Sequence, residues 1–404
     1  MPDLLNQLSD YARQLDDAAP PLQSFVTPVT ARPPRRVLTR PWVVLAGAAI
    51  GILILVGLPL LIADSWHDTP PAHAPTPTTV APPTTTATAP ETAVPTTAVE
   101  VLTLEAPGGL DSAVAWSPDG TVLTTAVHGE VKVWDATTGR LIERQELDHI
   151  GGAQSLLWSP DGTRIAINSD GSQSGVYDAT TGDLMLDELG DRALAWSPDG
   201  SRLVVGGAWG WSAVIDATAG DEELTLPFCP GPYSWVAAAA WSPDDTRIAT
   251  TCQASVTIWD ADSGDEMLTL TSDSEPPYAG DGVTEIEWSP DGTRIATAGD
   301  EQPTPAVWDA DTGDRLLALI GHTGGVHAVA WSPDSTRLAT ASDDGTAVIW
   351  DGGSGDLLAT LVGHTGVVTD IAWSPDGTRI ATVSSDGTVK IWQVSATEQG
   401  GDGP

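Results

Sequence analysis

TDIAWSPDGTRIATVSSDGTVKIWQ, residues 369–393, decides the fold. Its apolar and polar residues alternate with a period of two in short runs: TDIAWS, TRIATVS and TVKIWQ. Pro-Asp-Gly and Ser-Asp-Gly break the runs, and such turns bounded by alternation predict antiparallel hairpins. Helical repeats would lack a turn signal every eight to ten residues.

The unit recurs. WSPD begins at Trp116, Trp158, Trp196, Trp241, Trp288, Trp331 and Trp373, at spacings of 42, 38, 45, 47, 43 and 42. After each comes a second signature: VWDATTG, VYDATTG, VIDATAG, IWDADSG, VWDADTG, IWDGGSG and, last, IWQVS at 391–395. A period near 40–45 residues marks propeller blades once helical repeats are set aside. Each unit reads as four strands, a to d, with SPDG turning a into b and DATTG turning c into d.

These motifs resemble the WD-repeat β-propeller family, in a membrane-anchored, bacterial-type form, over residues 99–395. The expected fold is all-β: a seven-bladed propeller of four-stranded antiparallel blades, preceded by one transmembrane helix. Two units carry the fuller family pattern, His322, Ser342, Asp344, Trp350 and His364, Ser384, Asp386, Trp392. The resemblance implies that each set forms a structural hydrogen-bonded tetrad, satisfying buried polar groups and locking the blade. Blade 2 keeps His149 and Ser169 but has Tyr177 for Trp, and blades 1, 3 and 5 keep little of the pattern.

The chain runs out after strand c of the last unit, while VEVLTLEAPGG at 99–109 matches a strand d and its loop. Residues 100–105 are therefore expected to complete the final blade and close the ring, removing an open seam. Cys252 has the offset from its WSPD tryptophan that Ser342 and Ser384 have, and Cys229 lies in the preceding d–a loop. The pair reads either as a disulfide replacing the polar tie or as two inert buried thiols.

With a running down and b up, the SPDG and DATTG turns share the bottom, and the repeated aspartates ring it as turn chemistry. The top departs from the pattern around blades 3 and 4, where loops carry Trp209, Trp211, Phe228, Tyr233, Trp235 and Tyr278. Aromatics on loops are candidate contacts for a protein partner; packing between blades is the other reading.

The 404 residues hold 17 Lys and Arg against 55 Asp and Glu, a net charge of −38, which argues against nucleic acid. No G-x-S-x-G elbow, Walker loop, H-E-x-x-H or C-x-x-C is present, so no catalytic residue, cofactor or metal is expected. DADSGDE and DADTGDR look like calcium loops but lack the twelfth-position Glu and fall on c–d turns.

Residues 42–63 carry no charge and would span roughly 33 Å as a helix, enough for a bilayer core. Arg32, Arg35, Arg36 and Arg40 precede this stretch and Asp64 and Asp68 follow it, so the positive-inside rule orients it. The expected organisation is a cytoplasmic segment 1–40, a signal-anchor helix 41–63, a Pro/Thr-rich linker 64–98, the propeller 99–395 and a disordered tail 396–404. The linker's prolines favour extended polyproline II. Two Lys against 15 Arg, with abundant Ala, fit a bacterial, GC-rich genome.

The sequence thus describes a single-pass cell-membrane protein with a cytoplasmic N-terminus and a monomeric extracytoplasmic propeller, serving as a non-catalytic scaffold for a protein partner. A small-ligand or envelope sensor is the alternative. It would signal through an N-terminal helix with Leu4, Leu5, Leu8, Tyr11, Ala12 and Leu15 on one face.

Overall fold

In the computed structural model, residues 96–396 are described apart from 107–111, 128–129, 147–152, 170–173, 188, 190–191, 208–209, 228, 230–235, 253–254, 271–281 and 301. The expected cytoplasmic segment, membrane span, most of the linker and the tail lie outside the described residues. Among the described residues no helix is long and apolar enough to cross a membrane.

Seven four-stranded antiparallel sheets follow one another along the chain. Blade 6 is typical: strand a Val326–Trp331, b Arg337–Ser342, c Ala347–Asp351 and d Leu357–Leu361. Blade 7 is built from both ends of the propeller. Its strands a to c are Val368–Trp373, Arg379–Ser384 and Thr388–Ala396, and its outer strand is Thr96–Glu105, antiparallel to strand c. The closing strand is longer than the expected 100–105, and a bulge between Glu100 and Leu102 resets its register. Leu104 is buried, and Lys390 donates to Glu100 at 2.9 Å, so packing and charge both hold the closure.

The a–b turns explain why SPDG repeats. In blade 1, Ser117 Oγ, Thr121 N–H and Thr121 Oγ1 all donate to Asp119 Oδ1, at 2.6, 3.0 and 2.8 Å. The fourth turn position is left-handed, and five turns place Gly there. Asp245 and Ser335 adopt the same conformation, at φ 66° and 60°, where a side chain is less easily accommodated. The Ser159 hydroxyl first, and the Thr163 N–H next, hold Asp161 down to about 2. These carboxylates are turn chemistry, as the sequence pattern implied.

The core lies between blades rather than within them. Trp331, Leu338 and Trp350 of blade 6 pack with Ala296, Val307 and Leu319 from blade 5. At six of the seven seams the first residue of strand b is an arginine stacked on the next blade's WSPD tryptophan, for example Arg379 over Trp116 at 4.6 Å. The same guanidinium donates to turn carbonyls beyond it, Arg379 Nη1 to Ala136 O at 2.7 Å. A cation–π contact plus carbonyl bonds fixes each blade against its neighbour.

Candidate interaction surface

The top end of blade 6 is built on a relay. His322 Nδ1 lies 2.9 Å from Asp344 Oδ2, and His322 Nε2 lies 2.7 Å from Thr340 Oγ1. Trp350 Nε1 donates to the same Thr340 Oγ1 at 2.9 Å. Blade 7 repeats this with His364, Asp386, Thr382 and Trp392. The tetrads therefore differ from the sequence expectation in one member: Thr340 and Thr382 take the place assigned to Ser342 and Ser384. Register is the reason. Trp350 pairs with Leu338, so Thr340 is its diagonal neighbour on the same face, whereas Ser342 lies two residues further along. Ser342 instead ties the turn, donating to Gly324 O and accepting from Asp344 N–H, both at 3.2 Å. Burial pushes Asp344 up, but the Thr346 hydroxyl, Thr323 N–H and His322 hold it at about 2.

The Trp-to-Thr bond recurs in blades 1, 4 and 5, as Trp134–Thr125, Trp259–Thr250 and Trp308–Thr297. In blade 4 a disulfide joins Cys229 to Cys252, with Cα atoms 5.6 Å apart. Cys229 N–H also donates to Gly210 O at 3.0 Å, so the link ties the d–a loop to the b–c turn of blade 3.

Of the aromatic rim, Trp211 is described: it is half-buried and packs on the core between blades 2 and 3. Trp209, Phe228, Tyr233, Trp235 and Tyr278 lie outside the described residues. His149 does too, while Ser169 ends strand b of blade 2.

Two groups escaped the sequence reading. His327, on strand a of blade 6, reaches Asp300 Oδ1 at 3.1 Å and Asp343 Oδ1 at 2.8 Å, bridging the b–c turns of blades 5 and 6. The Asp300 carboxylate foremost, with Asp343, raises the imidazole to about 9 against the opposing pull of burial. A raised histidine stabilises the fold fully below its unfolded value and loses that contribution as pH climbs through 9.

Glu287 and Asp370, on strands a of blades 5 and 7, accept backbone N–H groups of the next blade, Trp331 at 2.6 Å and Val114 at 2.9 Å. Burial pushes Glu287 up to about 8 and Asp370 to about 7. Both are half-buried, and loss of hydration outweighs the N–H groups that they accept. The available signal was a carboxylate inside the apolar run before WSPD, in TEIEW and TDIAW.

Five segments, residues 100–135, 224–260, 276–302, 313–351 and 355–393, match the family described as WD domain, G-beta repeat. A 76-residue stretch, 18% of the chain, is 38% identical to the WD repeat-containing protein WDS homolog of Arabidopsis thaliana. The aligned stretch covers 14% of that relative's length. The matched repeats and the seven-bladed ring together support a WD-repeat β-propeller. The unmatched stretch 136–223 spans most of blades 2 and 3, where Tyr177 and Ile215 replace the strand c tryptophan.

Proposed function

We propose that the chain is a non-catalytic protein–protein interaction platform, displayed outside the membrane on a single-pass anchor with residues 1–40 in the cytoplasm. One observation carries the platform reading: the repeated polar side chains are spent on the fold itself. Turn aspartates accept hydroxyl and N–H groups of neighbouring turn residues, arginines cap neighbouring blades, and the histidine relays bond threonine and aspartate. What remains for function is surface. The anchor reading rests on the uncharged stretch 42–63 and its flanking arginines.

The proposed contact is the top rim of Trp209, Trp211, Phe228, Tyr233, Trp235 and Tyr278. Proximity labelling from the propeller in living cells should recover an extracytoplasmic protein. The triple variant Trp209→Ala, Trp211→Ala, Trp235→Ala, checked for its melting curve, should lose capture of that protein about ten-fold or more. Unchanged capture refutes the rim. Deleting residues 1–20 should leave capture and cellular role intact, and loss of the role would favour the sensor. Protease added to intact cells should remove the propeller; protection refutes the orientation.

A further inference from the structure

The seam between blades 1 and 2 breaks two packing rules that this propeller keeps elsewhere. Val122 stands where six other blades have the capping arginine, so Trp158 receives no guanidinium from that position. Trp158 is half-buried, whereas the other six WSPD tryptophans are buried. Second, the glycine of each c–d turn normally lies against a leucine from the preceding blade's strand d: Gly264 against Leu224, Gly313 against Leu268, Gly355 against Leu317. Blade 1's strand d is Leu141–Glu146, and the residue facing Gly182 is Gln145, which donates to Gly182 O at 2.9 Å. In addition, strand c of blade 2 carries Tyr177 at the tryptophan position, as blade 3 carries Ile215 there. Among the described residues the core of this seam has five buried members, against nine to thirteen at the others.

The consequence is a small cleft, partly open to solvent. Val131, Val133, Ile165, Ile167 and Tyr177 line it, together with Glu143, Gln145 and Asp178, whose carboxylate also accepts the Thr180 and Thr181 N–H groups. Glu143 is exposed, and Arg144, the cation of that strand, is already held by Glu130 and Glu146.

We propose that this cleft binds an extended segment of a partner polypeptide, with a leucine-type side chain between basic residues. The fold supplies the shape argument, because exposed Glu143 stands where strand d places Leu224, Leu268 and Leu317 at other seams, and the apolar wall beneath it is left without a leucine. The partner's strand would run beside the outer edge of Leu141–Glu146, as an added β-strand does. Charge supplies the flanks: Glu143 and Asp178 line the cleft, and the chain's net charge of −38 favours a basic ligand. This site is independent of the aromatic rim.

The probe is a dye-labelled blocked heptapeptide, Lys-Lys-Leu-Lys-Leu-Lys-Lys, titrated into the full-length chain by fluorescence anisotropy. It should bind about ten-fold or more tightly than the same peptide with alanine for leucine, since burying two leucines is worth more than a factor of ten. The double variant Glu143→Leu, Gln145→Leu, which copies the other seams, should melt no lower than the parent and lose that preference. A benzophenone replacing one leucine should crosslink to residues 131–133 or 165–167, which reads the site without any variant of the protein. Equal binding of both peptides, no binding, an unchanged preference in the double variant or crosslinks confined to other blades would each overturn the proposal. Trp209→Ala with Trp235→Ala should leave this binding unaltered, so failure here and failure of the top-face reading are separable.

Discussion

A single hydroxyl carries each complete relay. Thr340 Oγ1 lies within bonding distance of both Trp350 Nε1 and His322 Nε2, and all three groups are buried. Valine at that position keeps the shape and strands two polar partners, so Thr340→Val should cost about 2–3 kcal/mol, read by urea denaturation. Ser342→Ala removes a turn bond at 3.2 Å and should cost about 1 kcal/mol. The reverse order would restore Ser342 to the tetrad. The motif was visible as His, Asp and Trp at fixed offsets. Which hydroxyl joined them was not, because Thr340 and Ser342 share one face and register alone chooses between them.

Among elements, the strand Thr96–Glu105 has the largest consequence, since it pairs with Thr388–Ala396 almost three hundred residues away. Leu104, 4% exposed, belongs to the core between blades 7 and 1. Leu104→Ala should cost about 2–4 kcal/mol, and hydrogen exchange should rise first along strand c of blade 7. Exchange confined to residues 96–105 would mean that the strand is an appendage rather than the closure. Its existence was inferable, because the final unit lacks a strand d and an unpaired one precedes the first. Its bulge and its extension back to Thr96 came from pairing with strand c.

On the scale of the whole molecule, two sets of carboxylates pull stability in opposite directions with pH. Turn aspartates such as Asp161 and Asp199, held at about 2, contribute stability above their unfolded values near 3.8 and lose it as pH falls toward 2. Glu287 and Asp370, pushed up to about 8 and about 7, do the reverse: their contribution is complete below their unfolded values and is lost as pH rises through 7 to 8. The melting temperature should therefore fall between roughly pH 5 and pH 8.5. Glu287→Gln with Asp370→Asn should flatten that limb up to about pH 6.5, above which His327 retains a share of it, since each amide can still accept the neighbouring N–H. A limb of unchanged slope in the variant would assign the effect elsewhere.

Repetition made the blade count, the strand order within a blade and the two-ended closure readable from the chain, because turn residues and period-two alternation act locally and recur seven times. Tertiary structure decided whatever depends on one blade meeting the next. The arginine–tryptophan caps, the His327 bridge, the strand a carboxylates Glu287 and Asp370 and the cleft beside Tyr177 each join residues of two blades. A side chain that bonds across a seam is indistinguishable in sequence from one that faces solvent. Only the packed ring gives it a partner.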